Sequence, residues 1–391
     1  MGFDGETGNL AVQVRAFCQQ AILRWLTRKG WLRVGGNSTS KGIGLKQGTD
    51  RRARPQASPF ALMRRIFAVR RASIQQDLSQ RGWHLPQQRT RRSSPGLKFV
   101  LDLIAQSALK PMQGTLQKPM LVAPGELAVT FIGHASFLLQ IGGLNILIDP
   151  VFAKWLVLIH RLRRPGVHIK DLPAVDAVLL THAHMDHLNL PSLRRIIRHT
   201  RKLRGTTPIV VVPEGVEDLV NTLGFAEVVP LRWWGEAKIG TVEVTMTPAQ
   251  HWGARMMRDT HRGFGGYVLR YESQTVYHSG DTGYFAGFAE IGERLGPKLA
   301  LLPIGAYKPD GFRRVHTSPE DALRGFLDLG AEEMVPMHFG TFRLSQEPMD
   351  EPLPRLMEAA ERAGVGERVV PLQEGETRIF ARAGVLAGTA G

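Results

Sequence analysis

From Leu97 onward the apolar and polar positions fall into short blocks whose period changes every few residues. Leu97 to Leu109 repeats its apolar residues at helical spacing and predicts an amphipathic helix. Leu127 to Ile132, Ser136 to Ile141 and Leu144 to Ile148 are β-like runs separated by Gly133 and by Gly142-Gly143, which predicts an antiparallel meander. A strand at Ala177 to Leu180, a helix at Pro191 to Lys202, a strand at Pro208 to Val212 and a helix near Glu214 to Leu223 are expected next. Strands follow at Thr241 to Met246, Gly266 to Tyr271 and Thr275 to His278. Helix and strand then alternate through Ala286 to Leu295, Leu299 to Pro303, Pro319 to Leu329, Glu333 to Met337 and Pro352 to Ala363. Many strands with helices between and outside them predict one α/β layered domain over 96–391, with two β-rich halves.

Residues 1–95 lack that texture and read as a basic extension, disordered or loosely helical. Two stretches in it carry amphipathic patterns, Leu10 to Leu26 and Phe60 to Leu78, the second interleaving Arg64, Arg65, Arg70 and Arg71 with apolar residues. Charge sharpens the division. Residues 1–98 hold 19 Lys/Arg against four acids, while 99–391 hold 31 of each sign, so the net +15 belongs to the extension and the body is neutral. A nucleic-acid binder inferred from net charge alone is therefore disfavoured. A membrane-surface tether, an organelle transit peptide and an upstream start codon are the readings of the extension that stay open.

No run of 18 apolar residues appears, which excludes a transmembrane helix, and no apolar core with a small-residue cleavage site predicts secretion. The expected location is cytoplasmic, or peripheral on a membrane. Val151 to Ile159 is the longest apolar stretch; with Arg161, Arg163 and Arg164 beside it, it reads either as a contact with an anionic membrane surface or as a buried element with a solvated end. A single cysteine, Cys18, excludes disulfide frameworks and Cys-based zinc sites. Oligomeric state is open, a homodimer included.

The chemistry concentrates after Ala177 to Leu180. Thr181 leads into His182-Ala183-His184-Met185-Asp186-His187, three imidazoles and a carboxylate in six residues. A core could not bury that cluster unpaired, whereas imidazole and carboxylate suit zinc and related metals. His182 and His184 can converge on one ion while Asp186 and His187 face a second. Two metals need further donors, and His251, Asp281 and His338 each follow an apolar strand. Asp281 lies in Ser279-Gly280-Asp281-Thr282-Gly283, whose glycines let the backbone turn closely.

With these residues the chain resembles the metallo-β-lactamase superfamily over Glu126 to Phe380, and within it the N-acylphosphatidylethanolamine-hydrolysing phospholipase D group. The likeness is carried by Gly133-His134-Ala135-Ser136, Ile148-Asp149-Pro150, Trp233-Trp234, Gln250-His251-Trp252, Gly280-Asp281-Thr282-Gly283-Tyr284, Ile304-Gly305-Ala306-Tyr307 and His338-Phe339-Gly340. The resemblance implies a four-layer αββα sandwich with a dinuclear site at one edge, holding two Zn2+, with Fe or Mn as alternatives. His182, His184 and His251 would hold one ion, Asp186, His187 and His338 the other, and Asp281 would bridge. Asp186, Asp281 and His316 are the implied catalytic residues. His316 would lie near the substrate phosphate, His134 near the metals, and Tyr307 with them in binding substrate. His278 reads as core or support. The implied reaction is attack of a metal-bridging hydroxide on phosphorus, releasing an N-acylethanolamine and leaving phosphatidic acid. Another hydrolase on the same scaffold, a sugar-phosphate lactonase or a nuclease, is the alternative. Lys308 and Arg313-Arg314 depart from the family and are expected to make the site mouth more cationic.

Overall fold

The structure, a computed structural model, describes residues 97–108, 110–255 and 259–381. The basic extension, with the helical stretches expected in it, lies outside the described residues. Helix α1 (Leu97–Ala108) leads into β1 (Leu127–Gly133), β2 (Ser136–Ile141), β3 (Leu144–Ile148) and a small hairpin, β4 (Trp155–Leu156) with β5 (Ile159–His160). Then come β6 (Ala177–Leu179), α2 (Leu190–Arg204), β7 (Ile209–Pro213), β8 (Val228–Leu231), β9 (Glu236–Ile239), β10 (Val242–Thr247), β11 (Gly266–Tyr271) and β12 (Gln274–His278). The chain closes with α3 (Gly287–Leu295), β13 (Leu299–Pro303), α4 (Pro319–Leu329), β14 (Glu333–Met337), α5 (Pro352–Arg362) and β15 (Thr377–Ala381).

Among the described residues these strands form two mixed sheets, in the orders β15-β1-β2-β3-β6-β7-β8 and β14-β13-β12-β11-β10-β9. The meander predicted over β1 to β3 is antiparallel as expected, and β3, β6, β7 and β8 run parallel. The central strands are apolar on both faces, which forces both faces under cover. Val129, Phe131, Leu139 and Ile146 of one sheet meet Val244, Leu269, Val276 and Leu301 of the other in the core between them. The alternate residues Leu138, Leu147, Val178 and Val210 face outward under Leu193 and Ile196 of α2. Tyr277, Ala300, Leu302 and Met334 of the second sheet lie under Phe288, Phe326 and Leu356 of α3, α4 and α5. The result is the four-layer αββα sandwich that the sequence led us to expect.

Local chemistry explains the helix boundaries. Asn189 caps α2 by accepting from the Ser192 amide at 3.0 Å, and Gly205 ends it in the left-handed region. Ser318 and Asp321 form a reciprocal capping box at the start of α4. One expected helix is absent: Glu214 to Leu223 contains only a 3-10 turn at Glu217–Leu219. Gly215 sits at φ +80°, and the Arg262 guanidinium takes its carbonyl and pairs with Asp218, so the segment is tied to its surroundings instead of to itself. Strands β8, β9 and β15 escape the sequence pattern because their exposed and half-exposed positions dilute the apolar signal, whereas β14, also a sheet edge, is mostly buried and was legible. Among the described residues no helix is long and apolar enough to cross a membrane.

Candidate metal centre

The chemistry-bearing residues sit where strands end. His182 to His187 follow β6, His251 follows β10, Asp281 follows β12, His338 directly follows β14, and His134 occupies the turn between β1 and β2. Loops just outside strand ends are where open α/β sheets place ligands. Gly280 is obligatory in this arrangement: at φ +61° a Cβ there would lie 2.8 Å from the Gly265 carbonyl and 2.9 Å from Thr181.

The donors fall into overlapping groups whose ligand atoms lie within 4.8 Å of one another: His182, His184 and His251; His134, Asp186, His187 and His338; His182, His187 and Asp281; and His251, Asp281 and His316. His184 Nδ1 is 2.8 Å from His182 Nε2 and 3.2 Å from His251 Nε2. The Asp281 carboxylate reaches both sides, 3.3 Å from His187 Nε2, 3.1 Å from His338 Nε2 and 3.9 Å from His251 Nε2. Asp186 lies 3.6 Å from His338 Nε2 and 3.8 Å from His187 Nε2. His182 thus groups with His184, Asp186 with His187, and His187 also with His182 through Asp281.

Several features fit these side chains to cations. His187 Nε2, His338 Nε2 and Asp281 Oδ1 are buried without a hydrogen-bond partner among the described residues, a costly state unless something binds them. In His251, His187 and His182 the opposite ring nitrogen is committed elsewhere, which leaves the inward one to ligate. His251 Nδ1 donates to the Val315 carbonyl at 2.8 Å, His187 Nδ1 to Asp149 at 2.7 Å, and His182 Nδ1 to the Thr181 hydroxyl at 3.0 Å. Burial drives the His182 and His251 imidazoles well below their ordinary range, so they are neutral, the form a metal requires. Burial works against ionisation of Asp281, but His187 and His338 outweigh it and hold the carboxyl well below the usual range. At His187 and His338 burial opposes charge, but the Asp281 carboxylate outweighs it, pushing the first ring up and the second up to about 9. A bound cation would replace those protons. Imidazoles and carboxylates are the donor set of zinc, and also of Fe and Mn.

Structure gives partners to two residues outside the candidate ligand set, Asp149 and His278, the second of which reads from sequence as core or support. Asp149, fully buried at the end of β3, accepts from the Thr181 amide at 2.8 Å, the Thr181 hydroxyl at 2.6 Å and His187 Nδ1. Its sequence signals were an acid closing an apolar strand and its place in the Ile148-Asp149-Pro150 segment. His278, buried in β12, donates from Nε2 to the Ala135 carbonyl at 3.0 Å and accepts the Gly280 amide at Nδ1, linking the Asp281 loop to the His134 turn. His134, Asp149 and His338 all lie at positive φ, strain of the kind found at functional sites.

His134 and His316 both enter the cluster. His134 Nε2 donates to Asp186 at 3.1 Å, and burial beside His338 pushes its ring down to about 3. His316 Nδ1 lies 3.7 Å from the Asp281 carboxylate, and burial pushes that ring down to about 4. His134→Ala is expected to weaken metal retention about 10-fold, by releasing Asp186, in metal analysis after dialysis. Unchanged retention would leave His134 no part in the centre.

Other expectations resolve differently. The Tyr307 hydroxyl does not join the donors; it donates to Glu351 at 2.8 Å. Lys308 pairs with Glu351 at 2.8 Å and Arg313 with Asp321 at 2.9 Å, so neither adds the uncompensated positive charge expected at the mouth. Arg161 is no surface cation: it is fully buried, donates to the Arg163 and Val151 carbonyls, and burial lowers its guanidinium to about 9.

Comparison with known proteins bears on this geometry. A family model described as a beta-lactamase superfamily domain matches residues 144–339. The chain is 32% identical over 254 residues to "N-acyl-phosphatidylethanolamine-hydrolyzing phospholipase D 1" of Caenorhabditis elegans, covering 60% of this chain and 71% of that one. It is 37% identical over 226 residues to a UPF0173 metal-dependent hydrolase of Rubrobacter xylanophilus, covering 56% and 84%. Among solved structures, the metallo hydrolase Igni18 of Ignicoccus hospitalis superposes with a TM-score of 0.52 at 28% identity, covering 66% of this chain and 99% of Igni18.

Proposed function

The chain belongs to the beta-lactamase superfamily and is a metal-dependent hydrolase, and we propose that it cleaves the phosphodiester of N-acylphosphatidylethanolamine-type phospholipids. The observation that carries the chemistry is the pair of donor groups sharing Asp281. In this reading His182, His184 and His251 hold one Zn2+, Asp186, His187 and His338 a second, with Asp281 reaching both. Bound ions would supply a nucleophile at neutral pH and offset charge on the phosphoryl oxygens.

The chain's own residues do the rest. Asp186 and Asp281, held ionised, can take the proton of the attacking water. His316 Nδ1 is buried, unpartnered among the described residues and turned toward Asp281, so a phosphoryl oxygen is a fitting partner for it. Attack at phosphorus would expel an N-acylethanolamine and leave phosphatidic acid. The likeness to a phospholipase D relative supports the lipid substrate; a UPF0173 relative of comparable identity favours, as the second reading, another hydrolase on the same scaffold.

Purified, metal-analysed protein should be assayed on N-acylphosphatidylethanolamine, a lactone and RNA in parallel. Turnover of the first alone, lost on exhaustive chelation and restored by Zn2+, is expected. Turnover of the lactone or RNA alone would replace the lipid reading, and full activity after chelation would end the metal reading.

A further inference from the structure

We propose that the β4–β5 hairpin and the exposed face of α2 together dock this protein on an anionic lipid bilayer. The hairpin pairs Trp155 with His160 and Leu156 with Ile159, leaving Val157-Leu158 as a two-residue turn. Turns of this length favour Gly, Asn or Asp, because φ must be positive. Here Val157 adopts φ 57°, at a position where a β-branched side chain is a genuine outlier. The strain has no return within the fold: Trp155, Val157 and Leu158 are 47%, 59% and 38% exposed. A strained, solvent-facing aliphatic turn calls for an apolar phase outside the protein to receive it.

The hairpin is rooted close to the chemistry. Leu156 packs with Val151 and Phe342, and the Phe342 ring lies 5.2 Å from the His134 ring. At its base the Phe152 amide donates to the Ser192 hydroxyl at 2.9 Å, which joins it to the first turn of α2. That helix, LPSLRRIIRHTRKLR, carries no acid. Leu193, Ile196 and Ile197 are buried, while Arg194, Arg195, Arg198, Arg201 and Lys202 are exposed and make no ion pair with any described acid. Arg194, Arg198 and Arg201 fall on one face at i, i+4, i+7. Lys154 of the hairpin is exposed as well.

Cations alone would suit a nucleic acid, but phosphate contacts gain nothing from exposed Val157 and Leu158. An anionic bilayer takes both parts: headgroups pair with the guanidinium face, and the aliphatic tip enters the acyl boundary. The proposal does not rest on the substrate reading, since a docked hydrolase of any specificity would show it.

The test is co-sedimentation of the full chain with phosphatidylcholine vesicles, with and without phosphatidylglycerol, at low and high salt. Val157→Gly with Leu158→Asn supplies the turn residues the geometry favours, so its melting temperature and metal content should hold or rise. Its partitioning onto anionic vesicles should nevertheless fall about 10-fold. Arg194→Gln, Arg198→Gln and Arg201→Gln combined should reduce binding roughly 10- to 100-fold at low salt and little at high salt. Parental binding by both variants would overturn the proposal and leave the basic extension as the attractor. Equal binding to neutral vesicles would overturn it too. So would duplex DNA binding that follows the α2 variant while vesicle binding follows neither.

Discussion

Exchanging Asp281 for Asn is expected to lower hydrolysis about 10³-fold while the protein stays folded. The substitution keeps the shape of the side chain and removes the one carboxylate that faces His187, His338 and His251 together. A carboxylate that holds metal beside the reacting group would contribute several kcal/mol to offsetting charge in the transition state, and about 4 kcal/mol corresponds to that factor. Metal content should also fall, because the donor groups that Asp281 joins would then offer one anion fewer. The measurements are turnover at saturating substrate and metal content by mass spectrometry. Asp281→Asn retaining a tenth or more of parental turnover would exclude a bridging role.

Asp149→Ala is expected to be the most destabilising single change near the site, although Asp149 is no candidate ligand. Its carboxylate accepts the Thr181 amide, the Thr181 hydroxyl and His187 Nδ1, all without solvent access. Each donor left buried and unsatisfied costs about 1–3 kcal/mol. A total of about 3–5 kcal/mol would lower the melting temperature by roughly 10 °C in a domain of this size. His187 would also lose what orients its ring, so metal affinity should fall about 10- to 100-fold. Asp149→Asn, which keeps one acceptor oxygen, should recover part of both losses. If Asp149→Ala melts and binds metal like the parent, the carboxylate is not the brace its geometry describes.

Much of this molecule was legible before its folding was known, and the reason is local. Strands such as β2, β11 and β13 begin and end where periodicity and glycines place them, because burial on both faces writes a continuous apolar run into the chain, and the edge strand β14 is as legible because four of its five residues are buried. The edge strands β8, β9 and β15 were illegible for the converse reason. The His182 to His187 cluster declares itself within six residues, since no solvated loop has use for it.

By itself, then, the sequence determined the α/β layering and the His182 to His187 cluster, because both are recorded in residue type and spacing along a short stretch, while the four-layer order came from the family resemblance. Tertiary structure alone decided which donors meet, that Asp149 and His278 brace them, that the Tyr307 hydroxyl turns to Glu351, and that Arg161 is buried while Trp155 and Val157 face outward. Burial and long-range partnership depend on what the rest of the chain brings alongside a residue. No local pattern carries that information.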